Sequence, residues 1–323
     1  MTKKAIVWLV IGCSLVLVGA MIFFGVMAMS NWNFGGFSTV KYQENEYNII
    51  EEYKSISIES DTADILFVLS DTDKTTVTCY EENNQKHTVN VDDGMLKIKL
   101  IDTRKWYEHI GIGFGSSKIT VSLPKGEYES LYVNEHTGKV EIASGLSFEN
   151  MDITSTTGNV KNLASTSGMM KIKASTGYIT VSGVSAGEID LSVSTGNVNA
   201  SSISCGGDIK VKVSTGKTNL SGVECKNLIS EGDTGDITLE GVVASAKFDI
   251  ERSTGDIKFE GSDASEIFVK TDTGDVTGTL LSDKVFIVKT DTGKIKVPNS
   301  IVGGRCEIET DTGDVKIDIT SAK

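Results

Sequence analysis

The sequence is poor in proline, histidine and positive charge. Only two of its 323 residues are proline, and its three histidines, at positions 87, 109 and 136, lack the spacing of metal ligands. A zinc or acid–base site built on histidine is therefore not expected. The net charge of −13 also makes nucleic acid and anionic lipid unsuitable partners.

Charge is missing altogether from residues 5–29, which are mostly apolar. About 20 apolar residues cross the hydrocarbon core of a bilayer, so we predict an uncleaved transmembrane helix. A cleaved signal peptide is the alternative, although its apolar core is usually only about 7–15 residues long. "VIGC" at residues 10–13 resembles a lipoprotein motif, but uncharged residues continue after it. Lys3 and Lys4 before the helix place the N-terminus in the cytoplasm and the rest of the chain outside the cell.

Glycine is abundant, and much of it is periodic. The dipeptide Thr-Gly recurs every 19 or 20 residues, with its glycine at positions 138, 158, 177, 196, 216, 235, 255, 274, 293 and 313. A fixed period of this length is typical of solenoids, in which each repeat stacks on the previous one.

Apolar residues occupy the same places in nearly every repeat, at seven and five positions before the glycine and at two after it. Alternation with period two predicts a strand on each side of the Thr-Gly corner. The fold class that we predict is all-β: a single-stranded parallel β-helix, or β-solenoid, of about ten coils. Parallel crossovers are nearly always right-handed, which favours a right-handed solenoid. Ile237, Ile257 and Val276 should point inward and stack on one another.

The triplet Asp-Thr-Gly, the signature of aspartic proteases, occurs four times within this repeat, beginning at residues 233, 272, 291 and 311. Other copies of the repeat carry Ser, Thr or His in place of the Asp. Because such a ladder of interchangeable triplets does not form one shared-proton pair, we interpret the triplet as a corner whose glycine adopts positive φ. No catalytic residue and no cofactor is predicted.

The chain divides into five predicted segments. They are a cytoplasmic stub (1–4), a transmembrane anchor (5–29), a juxtamembrane linker (30–40), an irregular β cap with the first turns of the solenoid (41–130), and the regular repeats (131–323). In the cap, "VNVDDGMLKIKL" predicts a hairpin that turns at Asp93-Gly94, and "DTADI" reads as a degraded corner with Ala63 in place of glycine. The last coil should leave an open edge that is protected by Lys316 and Asp318.

Residues 104–115, "RKWYEHIGIGFG", interrupt the cap. Trp106, Tyr107 and Phe114 lie together on this glycine-rich loop. They form either an interaction loop or a cover over the end of the core.

Stacked carboxylates are the candidate metal ligands. Asp272, Asp291 and Asp311 share one column and Asp275 and Asp314 another, which offers several oxygens for weak calcium binding. The alternative is that Lys294, placed between Asp275 and Asp314, and solvent screening offset the repulsion. Cys205 and Cys225 lie 20 residues apart, so that they form either a disulfide or two small buried thiols.

The N-terminal anchor, "ITVSLPKGEYESLYV" and serial "STGDI" and "DTGDV" units together resemble the bacterial "putative adhesin" family, a domain of unknown function made of β-strand repeats. The resemblance covers about residues 50–320 and implies a place in the cell envelope, for adhesion or for an accessory role in envelope stress. It implies no catalytic or binding residues.

The function that we expect is therefore non-enzymatic. The chain would be a single-pass membrane protein whose extracellular solenoid offers a surface to an envelope protein or glycan. One alternative is a scaffold that self-associates through the solenoid ends. A second is a polysaccharide-active enzyme on a β-helix.

Overall fold

The computed structural model describes residues 3–29, 32, 41–103 and 116–320. Its one described helix is α1 (Lys3–Met29). The first strands are β1 (Tyr42–Ile49), β2 (Ser55–Ser60), β3 (Ala63–Leu69), β4 (Thr75–Glu82), β5 (Gln85–Asp92), β6 (Met95–Asp102), β7 (Ser117–Leu123), β8 (Glu127–Thr137), β9 (Val140–Ile142), β10 (Ser147–Thr157), β11 (Val160–Asn162), β12 (Ser165–Thr166) and β13 (Met169–Thr176). The remaining strands are β14 (Ile179–Ala186), β15 (Glu188–Thr195), β16 (Val198–Cys205), β17 (Asp208–Thr215), β18 (Thr218–Thr234), β19 (Ile237–Glu240), β20 (Val243–Thr254), β21 (Ile257–Thr273), β22 (Val276–Leu280), β23 (Lys284–Thr292), β24 (Ile295–Lys296), β25 (Gly304–Thr312) and β26 (Val315–Ile319).

From β8 onward the strands stack in parallel, one coil on the next, and the predicted β-solenoid is confirmed. Each coil pairs with residues 19 or 20 positions away over most of its length, as in the register Val160↔Ile179 and Ile179↔Val198. Ile237 is paired with Ile257 and Ile257 with Val276, and all three side chains are fully buried, as predicted. The apolar columns therefore form one continuous core, in which each aliphatic side chain contributes about 1.5–3 kcal/mol.

The Thr-Gly corners require glycine for two reasons. Gly235 has a φ of 125°, a conformation that other residues rarely adopt. A Cβ atom on Gly235 would also lie only 2.0 Å from the carbonyl oxygen of Gly216 in the preceding coil. The sequence predicted the positive φ but not this close approach between coils.

The N-terminal end is a layered cap. The coil formed by β2 and β3 pairs in parallel with β8 and β9 on one side and with β6 and β7 on the other. Three further pairings in the cap are antiparallel: β4 with β7, β1 with β4, and β5 with β6. The predicted hairpin is confirmed, with Asp93 at φ 50° and Gly94 at φ 71°. The predicted degraded corner is also in place, because the Thr137 amide donates to the Asp61 carbonyl across it.

At the C-terminal end the stacking order departs from the chain order. The last coil, β25 and β26, is inserted between the coil ending in β22 and the coil formed by β23 and β24. The expectation that the last coil forms the open edge is therefore wrong, since Lys316 is paired with Lys296 and β23 and β24 form the terminal coil. Among the described strands Asp318 is paired on one side only, with Thr279. Gly304 makes the insertion possible, because a Cβ atom there would lie 1.7 Å from the Ser265 carbonyl oxygen.

Arg252 is a charged side chain that lies inside the solenoid without a carboxylate partner among the described residues. Arg252 is 1% exposed and extends past Gly232 to the coil two positions earlier, where it donates to the Val213 carbonyl oxygen (Nη1–O 2.8 Å) and lies near Thr218 Oγ1 (Nη2–Oγ1 3.4 Å). Its Nε has no hydrogen-bond partner among the described residues, and none of their carboxylates forms a salt bridge with it. Burial lowers the pKa of Arg252, opposed by the charges of Asp233 and Asp236. A buried cation without a carboxylate partner is an energetic cost to the fold.

Candidate functional site

A groove of about 840 Å³ opens at the N-terminal cap. Tyr53 and Tyr128 form part of its wall, with their rings stacked 6.0 Å apart between centroids. Lys54 is the only basic side chain among the described residues that line it, and it is paired with Glu129 at 3.0 Å. The carboxylates that line the groove are those of Glu51, Glu52, Asp73, Asp93 and Glu129. The groove therefore suits a polar or cationic ligand rather than an anionic one.

The exposed walls of the solenoid carry opposite charges on adjacent coils. Lys171 contacts Asp152 at 3.0 Å and Lys217 contacts Asp236 at 2.9 Å, in each case one coil apart. Such exposed pairs contribute little to stability, about 0–1 kcal/mol each. They give the walls an alternately charged surface.

An aspartate or asparagine directly after the corner glycine has a structural role that the sequence did not reveal. The Asp256 carboxylate accepts a hydrogen bond from the backbone N–H of Asp275 (2.9 Å), and the Asp275 carboxylate accepts one from Asp314 N–H (2.7 Å). Asn159 and Asn197 do the same with their amide oxygens. Aspartate and asparagine therefore link consecutive coils along the corner edge.

The calcium candidates lie along this edge. Asp311 stands between Asp272 and Asp291, because β25 is paired with β21 and β23. In the next column Asp314 stands between Asp275 and Lys294, since the Lys294 amide donates to the Asp314 carboxylate at 2.8 Å. The prediction that Lys294 separates Asp275 from Asp314 is wrong, and the insertion of the last coil is the reason. Among the described residues these aspartates do not converge as a group of three ligand atoms, and calcium binding stays a prediction.

A buried polar cluster lies where the cap meets the first coils. Glu81 accepts hydrogen bonds from the His87 backbone N–H (2.7 Å) and from Asn45 Nδ2 (2.7 Å), and its Oε2 lies 2.8 Å from His87 Nδ1. His87 Nε2 lies 3.3 Å from Ser60 Oγ. Cys79 is on the same inner face of β4 as Glu81, and burial, followed by the Glu81 charge, raises the pKa of its thiol to about 12.

Glu135 adjoins this cluster from the second coil. It is fully buried, and its Oε2 has no hydrogen-bond partner within the described part of the chain. Burial raises the pKa of Glu135 to about 7, against the lowering effect of the Ser60 hydroxyl and of the Thr137 amide.

Cys205 and Cys225 occupy neighbouring places on adjacent coils, since Ser204 is paired with Glu224. Both are buried free thiols in the structure. Burial raises the pKa of Cys225 to about 12, and Cys205 adds to the effect. Whether the two form a disulfide stays a prediction.

Trp106, Tyr107 and Phe114, the predicted interaction loop, lie outside the described residues. Their segment connects β6 and β7, which belong to the coil just outside β2 and β3.

Sequence reasoning missed the polar cluster and the groove. The histidines were considered only for their spacing from one another, so His87 was not linked to Cys79 and Glu81. The available signal was Cys-x-Glu, which places two ligand atoms on one face of a strand, followed by a histidine after a short turn. No sequence pattern indicates the groove, because its lining residues come from four separate segments of the chain.

Comparison with known proteins places the chain in a family. The family model described as "Toastrack DUF4097" matches residues 53–211 and again residues 204–323. The two matches cover most of the chain, so the protein belongs to this family, and the resemblance seen in the sequence is confirmed. A search of the curated proteins found no match.

The comparison with solved structures gave several matches at low sequence identity. A "putative adhesin" from Bacteroides fragilis is 16% identical with a TM-score of 0.46, and the alignment covers 86% of this chain and 97% of that one. A "putative adhesin" from Parabacteroides distasonis is 12% identical with a TM-score of 0.49, covering 84% and 98%. A "putative lipid binding protein" from Parabacteroides distasonis is 17% identical with a TM-score of 0.39, covering 75% and 95%.

Proposed function

We propose that this protein is a non-enzymatic binding protein whose N-terminal helix holds a β-solenoid at the outer face of the bacterial cell membrane. The solenoid presents its cap groove, and the loop at residues 104–115, to an envelope protein or glycan. Adhesion or an accessory role in the envelope-stress response is the biological setting that the family resemblance supports.

The observation that carries this proposal is the environment of α1. The helix has 27 residues, is apolar along most of its length, and does not bury this apolar stretch against the rest of the protein. A helix that is apolar all round needs an apolar environment, and a bilayer supplies one at this length. A cleaved signal sequence has the same composition, so the fate of the helix has to be measured.

The anchor is tested on the protein as it occurs in cells. We expect it to remain in the membrane fraction after alkaline extraction and to keep its residues 1–29 by N-terminal sequencing. Release into the soluble fraction, or a mature N-terminus beyond residue 29, would show that the helix is a signal sequence.

The binding surface is tested by capture of envelope components on the full-length protein. One variant reverses the groove charge (Glu51→Lys with Glu52→Lys), a second lacks residues 104–115, and a control reverses Lys212 on the wall of the solenoid. We expect components retained by the wild type and the control to be lost by one of the first two variants. Equal capture by all four proteins would contradict a role for the cap.

A second candidate function, a self-assembling scaffold, has one observation in its favour. Among the described strands, β23 has a pairing partner on one side only, and the terminal coil exposes Ile287 (49%) and Ile295 (48%). Unprotected edges of this kind can pair with another copy. Light scattering of the detergent-solubilised protein separates the two proposals, because a scaffold grows with concentration and a presenting solenoid does not.

A further inference from the structure

Three residues at the cap bring together the ligand atoms that zinc prefers. Cys79 and Glu81 alternate on β4 and so face the same side, and His87 on β5 meets them across the turn at residues 83–84. One ligand atom from each residue lies within 4.8 Å of the others, and all three residues are buried. Among the described residues, no other group of three Cys, His, Asp or Glu side chains converges in this way.

The surroundings hold these side chains in place. Asn45 Nδ2 donates to Glu81 Oε1, and the His87 backbone N–H donates to Glu81 Oε2, both at 2.7 Å. Ser60 Oγ lies 3.3 Å from His87 Nε2, the ring nitrogen that points away from Glu81. A hydrogen bond to the far nitrogen is the usual way in which a metal-binding histidine is oriented.

Glu135 provides independent evidence that this buried region can hold a cation. Its carboxyl group is fully buried, neighbours Ser60, and keeps one oxygen without a partner among the described residues. Burying such a group is costly unless it interacts with a charged or hydrogen-bonded network. A cation bound at the cluster would place positive charge close to it.

We propose that Cys79, Glu81 and His87 bind a divalent zinc ion that fastens the cap to the solenoid. Sulfur, nitrogen and one carboxylate oxygen are typical zinc ligands, whereas calcium and magnesium prefer oxygen alone. The ion would join β4 to β5 within the cap, and the contact between His87 and Ser60 would hold these strands against β2 of the first parallel coil. Three protein ligands leave the fourth position of a tetrahedral site to a water molecule.

Zinc binding releases one proton overall. Zinc binding converts the Cys79 thiol to a thiolate, and that proton leaves to solvent. In the zinc-bound state neutral His87 carries its one ring proton on Nε2, facing Ser60 Oγ, so that Nδ1 binds the ion. The thiolate and the Glu81 carboxylate together neutralise the two charges of the ion.

The test uses cobalt(II) as a probe, because a cobalt–thiolate bond gives a charge-transfer band in the near ultraviolet that oxygen and nitrogen ligands do not give. Because the site is buried, the full-length protein is unfolded in denaturant that contains a chelator and is then refolded in detergent with cobalt(II). We expect one cobalt per chain, with the band present in wild type and in Cys225→Ser and absent in Cys79→Ser. Cys225→Ser is the matched control, because Cys225 is another buried thiol that lies outside the proposed site.

A second measurement decides the matter even if Cys79→Ser fails to fold. Ser60→Ala leaves all three ligands in place, and we expect it to weaken zinc affinity about 10–100-fold while the refolded protein keeps its circular dichroism spectrum. A wild-type protein that takes up no stoichiometric metal overturns the proposal, as does a band that survives in Cys79→Ser.

Discussion

Replacing one corner glycine by alanine tests how the coils meet, and Gly235 offers the clearest case. Its φ of 125° suits glycine alone, and such backbone strain costs about 1–3 kcal/mol for another residue. The new Cβ atom would start 2.0 Å from the Gly216 carbonyl oxygen, so the two coils would have to separate by more than an ångström.

That separation weakens two hydrogen bonds between coils. The Gly216 amide donates to the Thr234 carbonyl at 2.8 Å, and the Thr218 amide donates to the Asp236 carbonyl at 2.9 Å. Each bond contributes about 0.5–1.5 kcal/mol, so strain and lost bonds together predict a destabilisation of about 2–6 kcal/mol for Gly235→Ala.

Gly241 is the matched control. Its φ of 58° is also positive, but the nearest atom to a Cβ there is the Gly222 nitrogen at 4.0 Å. Gly241→Ala therefore measures the positive φ alone and should cost about 1 kcal/mol. Guanidinium unfolding in detergent, followed by far-UV circular dichroism, compares the two variants. If their free energies of unfolding fall by equal amounts, the close approach of the coils does not require glycine and the reasoning is refuted.

Three other predictions concern polar groups. Asp256→Ala, which removes the acceptor for the Asp275 amide, should lower the free energy of unfolding by about 1 kcal/mol. Asp256→Asn should restore the wild-type free energy of unfolding, and Asp272→Ala should change it little. Equal losses in all three variants would contradict the role of these hydrogen bonds in linking the coils. Arg252→Met should leave the thermal midpoint unchanged or raise it, because a buried cation without a carboxylate partner is removed; a large decrease would show that the arginine is needed. The pKa of Glu135, raised by burial from 4.5 to about 7, predicts stability that is fully present below pH 4.5 and declines as pH rises through about 7. Glu135→Gln should flatten this part of the curve of urea midpoint against pH, and an unchanged slope would assign it to other groups.

The regular part of the fold could be predicted because one period runs through it. Nearly every coil places its apolar residues at the same three positions, and a period-two pattern has one inward face. The buried columns at Ile237, Ile257 and Val276 follow directly from that.

The order of the coils at the two ends could not be predicted in the same way. All coils have nearly the same inner face, so the pattern fits β25 equally well before or after β23. The choice depends on local details such as Gly304, which allows the chain to pass Ser265, and Lys284, which reaches Asp263 at 2.6 Å in a buried salt bridge.

The candidate sites were the least predictable part. The Asp-Thr-Gly aspartates drew attention because they repeat, yet the aspartate after the glycine makes the contacts between coils. Cys79, Glu81 and His87 lie in the irregular cap and do not repeat along the chain. Only the folded structure brings them together.

Distances between spin labels test the central claim, that one coil of 19 or 20 residues returns to the same place on the solenoid. Lys161, Lys258, Lys316 and Lys296 belong to one exposed column, and Lys258 lies five coils from Lys161. Lys316 lies seven coils and Lys296 eight coils from Lys161. At about 4.8 Å per coil, we expect separations from Lys161 of about 24, 34 and 38 Å in that order. Distances that do not grow by a constant step per coil would contradict the solenoid, and a shorter distance to Lys296 than to Lys316 would contradict the inserted last coil.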